Sequence, residues 1–210
     1  MKKLFSYSTI IMLVATIVLT SCGHKAKTEE EVPLKITYSI DCSEDLLELC
    51  DLIVTYKGDD GANVVDTITA APADSTGRHV WTKVVGTHNI PVKIGLDPVL
   101  QLKSDTSFTI GHSTAWLDAK CTIIAEKIGI KTRNVRISEK IINSKSNFFM
   151  DYCIINEKVN NIRRDLANTV GAYNNRQDLN RETTSSNTCF VIKQNPYGDG
   201  LVVNQANWND

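Results

Sequence analysis

Long hydrophobic runs are nearly absent from this chain of 210 residues, and the one that stands out is Ile10 to Leu19, IIMLVATIVL. Ten residues is about half of the roughly 20 that a membrane-spanning helix needs. No second apolar stretch follows, so no spanning helix is expected elsewhere. Net charge is also missing: 23 basic side chains stand against 24 acidic ones, with no basic block. A nucleic-acid partner therefore has no electrostatic support. The four histidines, His24, His79, His88 and His112, are scattered, and none repeats at i, i+4 on a helix as a zinc pair would. Asp59, Asp60, Asn63 and Asp66 suggest calcium only superficially, because the EF-hand spacing and its closing glutamate are missing. Five cysteines follow Cys22, an odd number at spacings that match no zinc or redox motif. No metal or other cofactor is expected. No aromatic-rich stretch marks a sugar platform; Trp81 and Trp116 read as core, and Trp208 is the tryptophan to test for exposure.

The N-terminus has a clear pattern. Lys2 and Lys3 precede the apolar run, and Leu19-Thr20-Ser21-Cys22 follows it at once. Charged n-region, short apolar h-region and small-residue site make residues 1–21 an export signal. The tetrapeptide resembles the bacterial lipobox, which implies cleavage between Ser21 and Cys22 and a diacylglycerol on the Cys22 sulfur. More than one acyl chain on a single residue suits stable anchoring, since one chain alone binds a membrane only marginally. Gly23 in place of an aspartate implies the outer membrane. Lys27-Thr28-Glu29-Glu30-Glu31 resembles a displaced surface-export signal, and a plain solvated tether over residues 22–32 explains the same residues. Without Lys2 and Lys3 the basic side chains fall to 21 against 24 acidic, leaving the exported chain mildly acidic.

From Leu34 the apolar period is two. Leu34, Ile36, Tyr38 and Ile40 alternate with Lys35, Thr37, Ser39 and Asp41, which predicts a half-buried strand. Ser43 opens a short helical turn to Leu49, with Glu44 and Asp45 at its favourable N-terminal end. Cys42 and Cys50 flank that segment and could pair if it bends back. A hairpin is expected from Leu52–Lys57 through Gly58–Gly61 to Asn63–Thr69. Further strands are predicted at His79–Val85, Pro91–Leu96, Ser107–Gly111, Ala115–Ala125 and Val135–Ile137. Seven or eight strands between residues 33 and 140 match an immunoglobulin-like antiparallel sandwich in number and span. The period then changes: Phe148, Tyr152, Ile155, Val159, Ile162 and Leu166 recur at four and three, which predicts an amphipathic helix within residues 146–171, started by Ser146 or Asn147 and ended by Gly171. Cys121 and Cys153, inside apolar patterns, read as small buried hydrophobes. Residues 172–210 read as a polar linker, Asn174–Asn187, and a final hairpin of Cys189–Gln194 and Leu201–Gln205 around NPYGDG.

With the lipobox, the stretch YSIDCSEDLLELCDLIVTYKGDDGANVVDTIT, Tyr38 to Thr69, is similar to small secreted lipoproteins of Bacteroidetes that carry a β-sandwich. That resemblance implies fold and location and carries no catalytic residue across. Asp66-Thr67-Ile68 and Asp74-Ser75-Thr76 also resemble the short O-glycosylation motif of that phylum. Gly111-His112-Ser113-Thr114-Ala115 looks like a nucleophile elbow centred on Ser113, although its last glycine is replaced by Ala115 and an alternating strand follows where an elbow needs a helix. The expectation is a non-enzymatic outer-membrane lipoprotein held through Cys22, its sandwich loops meeting a glycan, an envelope protein or a host molecule. The alternatives are an accessory subunit docking through the helix 147–170, and a hydrolase built on Ser113.

Overall fold

The computed structural model describes residues 34–69, 74–104, 111, 113–127, 141–142, 148–179, 189–198 and 200–209, all in one compact unit, Val32–Asp210. The export signal, Ser21, Cys22 and the tether lie outside the described residues, as do Val135–Ile137, His112 and all of the expected strand Ser107–Gly111 except Gly111.

Among the described residues ten strands carry the fold: β1 (Leu34–Ser43), β2 (Cys50–Lys57), β3 (Asn63–Ile68), β4 (Arg78–Thr87), β5 (Val92–Leu102), β6 (Thr114–Lys127), β7 (Ile141–Ile142), β8 (Phe148–Asn160), β9 (Cys189–Gln194) and β10 (Leu201–Gln205). They form two antiparallel sheets, ordered β4-β1-β6-β8 and β3-β2-β5-β9-β10-β7. The alternation in β1 does the expected work. Leu34, Ile36, Tyr38, Ile40 and Cys42 are fully buried, while the residues between them remain half-exposed. β6 repeats this with Ala115, Leu117, Ala119, Cys121, Ile123 and Ala125. Each large aliphatic side chain so buried contributes about 1.5–3 kcal/mol.

Between β1 and β2 the short helix Glu44–Leu49 crosses from one sheet to the other and buries Leu46, Leu47 and Leu49. Ser43 stands at its N-cap position without capping it. Its Oγ instead donates to the Trp116 carbonyl at 2.9 Å and accepts from the Asp118 N–H at 3.1 Å. The Glu44 N–H is satisfied by the Gly77 carbonyl. In the β2–β3 hairpin, the GDDG turn has Gly61 at φ +80°, a region that glycine enters without a Cβ clash.

Three tyrosine hydroxyls stitch elements together. Tyr38 Oη donates to the Lys57 carbonyl at 3.0 Å and accepts from the Gly95 N–H at 3.4 Å, linking the two sheets. Among the described residues β5 pairs with β9 as far as Gly95, and beyond that point two further tyrosines reach its carbonyls. Tyr152 donates to the Leu96 carbonyl at 2.8 Å and Tyr173 to the Pro98 carbonyl at 3.0 Å. Pro98, lacking an N–H, fits this edge because no donor is left behind there.

The expected helix over 146–171 is corrected. Residues 148–160 are strand β8, and the helix is Ile162–Leu179. The reason is a β-bulge. Ala119 pairs with Ile155 but Lys120 with Cys153, so Ile154 is an extra residue on β8. The bulge switches the inward parity from Phe148, Met150 and Tyr152 to Ile155 and Val159, and that switch imitates a four-and-three spacing. Gly171 does not end the helix but lies within it, and the segment 174–179, expected as linker, is helical. Nor is the sheet structure complete at residue 140, since β8 borders the first sheet and β9 and β10 build the second. The final hairpin has the expected bounds.

Candidate binding face

The side chains of the first sheet that point away from the core form one continuous surface. Register places Val84, Thr37, Ile124 and Phe149 directly opposite one another across β4, β1, β6 and β8. The neighbouring rows are Thr82, Ser39, Thr122, Asp151 and Val80, Asp41, Lys120, Cys153. Among the described residues seven large hydrophobic side chains are exposed, and four of them, Val80, Val84, Trp116 and Phe149, lie on this face. Isolated exposed apolar residues are ordinary, but more than half of those exposed here share this one face, which makes it the candidate surface.

Trp116, expected in the core, is 50% exposed. Its place on β6 is held from below: the Asp45 carboxylate accepts its N–H at 2.8 Å, and Ser43 donates to its carbonyl. Trp81, also expected in the core, is partly buried; its Nε1 donates to Asp66 at 3.2 Å and its ring lies 5.8 Å from that of Tyr56. Trp208 is half-buried, with the Lys57 ammonium 4.9 Å above its ring and donating to its carbonyl.

The charges on the face answer one another. Arg78 bridges Asp41, at 2.8 Å, and Asp118, and also donates to the Asp41 carbonyl. The two carboxylates raise the Arg78 pKa above its ordinary value, outweighing the opposing desolvation. Lys35 pairs with Glu126 at 3.1 Å and Lys120 with Asp151 at 2.8 Å.

Among the described residues, those singled out for chemistry are not brought together. Ser113 is exposed and leads straight into β6, with no helix after it. Among the described residues nothing lies within 4 Å of where a Cβ at Gly111 would stand. His79 stands opposite Cys42, which is opposite Ala119, six residues along β6 from Ser113 and so about 20 Å away. In the Gly58–Gly61 turn the Asp60 carboxylate accepts the Ala62 N–H, and the main-chain carbonyl of Asp59 accepts the Thr87 hydroxyl. No group of three metal-ligating side chains occurs among the described residues. Asp66 accepts the N–H of Thr67, and Asp74 both the N–H and the hydroxyl of Thr76. An open groove of about 440 Å³ between β3 and β4 is lined by Ile68, Thr69, Asp74, Arg78, His79 and Trp81 among others.

Cys42 and Cys50 are free thiols, as are Cys121, Cys153 and Cys189. Burial pushes the Cys42 thiol up to about 11 and Cys50 up to about 12. It raises Cys121 and Cys189 as well. Cys153, expected inside, is exposed, because the parity of β8 before the bulge turns it outward beside Lys120. The proposed docking stripe of residues 147–170 is used up by the chain itself: Phe148, Tyr152, Ile155, Val159 and Leu166 are all buried.

No known family, characterised protein or solved structure matches the chain. Among the described residues no helix is long and apolar enough to cross a membrane. What fold and surface define is a two-sheet antiparallel β protein with one apolar-banded, charge-paired face.

Proposed function

We propose that the chain is an envelope lipoprotein, cut between Ser21 and Cys22 and anchored in the outer membrane through lipid on Cys22, whose immunoglobulin-like sandwich acts as a non-enzymatic binding module. The observation that carries the binding role is that Val80, Val84, Trp116 and Phe149 are exposed on the same outer face of β4-β1-β6-β8. A rigid antiparallel sheet is a good platform, because its backbone is already ordered and binding sacrifices little conformational entropy. The anchor reading is supported by the apolar run, the small-residue site and the cysteine in that order.

Two experiments test this. Cys22→Ala should release the protein from the membrane fraction with its fold unchanged by circular dichroism; retention after a high-salt wash would refute the lipid anchor. The soluble unit from Val32 should sediment with the envelope fraction of the source bacterium, and Trp116→Ala with Phe149→Ala should reduce that at least tenfold. Equal sedimentation of the double variant would remove this face as the binding surface.

A further inference from the structure

Resting on the binding reading above, we infer that the outer face of the first sheet holds a neutral glycan chain laid along β6. Four acids, Asp41, Asp118, Glu126 and Asp151, and four bases, Lys35, Arg78, Lys120 and Lys158, point out from these strands. Their sum is zero, so the face has no net field to gather a polyanion or a polycation. The complementary partner is uncharged. The fixed ion pairs also hold carboxylate oxygens and N–H groups in place at the surface, where they can accept from and donate to sugar hydroxyls. Thr37, Ser39, Thr82 and Thr122 add a ladder of hydroxyls between them.

The apolar part of the partner is specified too. Trp116 stands at one end of β6, and Phe149 lies opposite Ile124 toward the other. Eight residues of strand separate the two positions, about 27 Å at the antiparallel rise. That length suits an oligosaccharide of several units. The negative face of an aromatic ring attracts the weakly positive C–H bonds on a pyranose face. Two rings flanking a polar track would therefore hold both ends of such a chain, while the apolar band from Val84 to Phe149 covers further C–H surface. The cores of protein–protein interfaces are depleted of charged residues, whereas the central rows of this face carry Asp41, Lys120 and Asp151.

Affinity electrophoresis of the unit from Val32 tests this, with mixed-linkage β-glucan, xylan, mannan or dextran cast in the gel, and alginate and polygalacturonate as anionic counterparts. Retardation is expected in at least one neutral gel. Trp116→Ala and Phe149→Ala should each weaken it about tenfold, Trp116→Tyr should retain it, and Val65→Ala, at a position still more exposed and on the other sheet, should leave it unchanged. No retardation in any neutral gel, retardation only in the anionic gels, or retardation indifferent to Trp116 and Phe149 would overturn the inference. The two readings fail differently. If sedimentation with the envelope depends on this face, survives periodate oxidation of the envelope and is lost after proteinase K, the binding role stands and the glycan falls. If sedimentation never depends on the face, both fall.

Discussion

Tyr173 shows how much one atom can carry. Its ring packs in the core and its hydroxyl donates to the Pro98 carbonyl on β5. Tyr173→Phe keeps the ring and strips the carbonyl of that partner, at an expected cost of about 1–2 kcal/mol. Thermal unfolding should show a midpoint lower by a few degrees. Asp97 is a second such residue. Burial alone pushes its carboxyl above the usual aspartate range, so the folded state holds that proton more tightly than the unfolded chain. Stability from this group is then complete at low pH and is lost as pH rises through the folded value. Asp97→Asn is expected to raise the unfolding midpoint at pH 7, with the gain vanishing near pH 3, below the ordinary aspartate value of about 3.9. A constant difference across that range would mean that charge is not the cause. None of this was legible in the sequence, where Tyr173 and Asp97 had no distinguishing neighbours; a partner 75 residues away in the chain decides Tyr173.

At the scale of elements, strands with unbroken alternation were readable and those with a bulge were not. β1, β6 and the hairpin of β9 and β10 follow from local pattern alone. β8 does not, because Ile154 shifts its parity midway and the pattern then counts as helical. The helix after it buries Leu166, Val170 and Tyr173 and leaves Gly171 on its exposed side. That glycine neither caps the helix nor makes room for a neighbour. Gly171→Ala is therefore expected to stabilise the protein by about 0.5–1 kcal/mol through backbone entropy, visible as a higher denaturant midpoint with an unchanged slope. A lower midpoint would show that the helix is strained at this turn.

For the whole molecule, the five thiols beyond Cys22 report how the unit closes. Cys42, Cys50, Cys121 and Cys189 are buried, and their raised pKa values keep them protonated, so the reactive thiolate is scarce and out of reach. Maleimide labelling of the folded chain followed by mass spectrometry should modify Cys153 alone, and all five after denaturation. Native labelling at Cys42 or Cys50 would show that the short helix between them opens. The candidate face belongs to this scale as well. Trp116 and Phe149 are 33 positions apart in sequence, and only the pairing of β6 with β8 sets them on one surface.

The sequence by itself determined the alternating strands, the glycine turn of the first hairpin and the cysteines' lack of a metal or redox spacing. It also holds Leu19-Thr20-Ser21-Cys22, whose resemblance to a lipobox is what the Cys22→Ala experiment tests. These are properties of adjacent residues, decided by side-chain period and backbone sterics. Only the tertiary structure decided the strand character of β8, the outward turn of Cys153 and Trp116, and the tyrosine bonds to β5. It also brought four acids and four bases onto one face. Those depend on register between strands distant in the chain, and a single bulge inverts which side chains meet water.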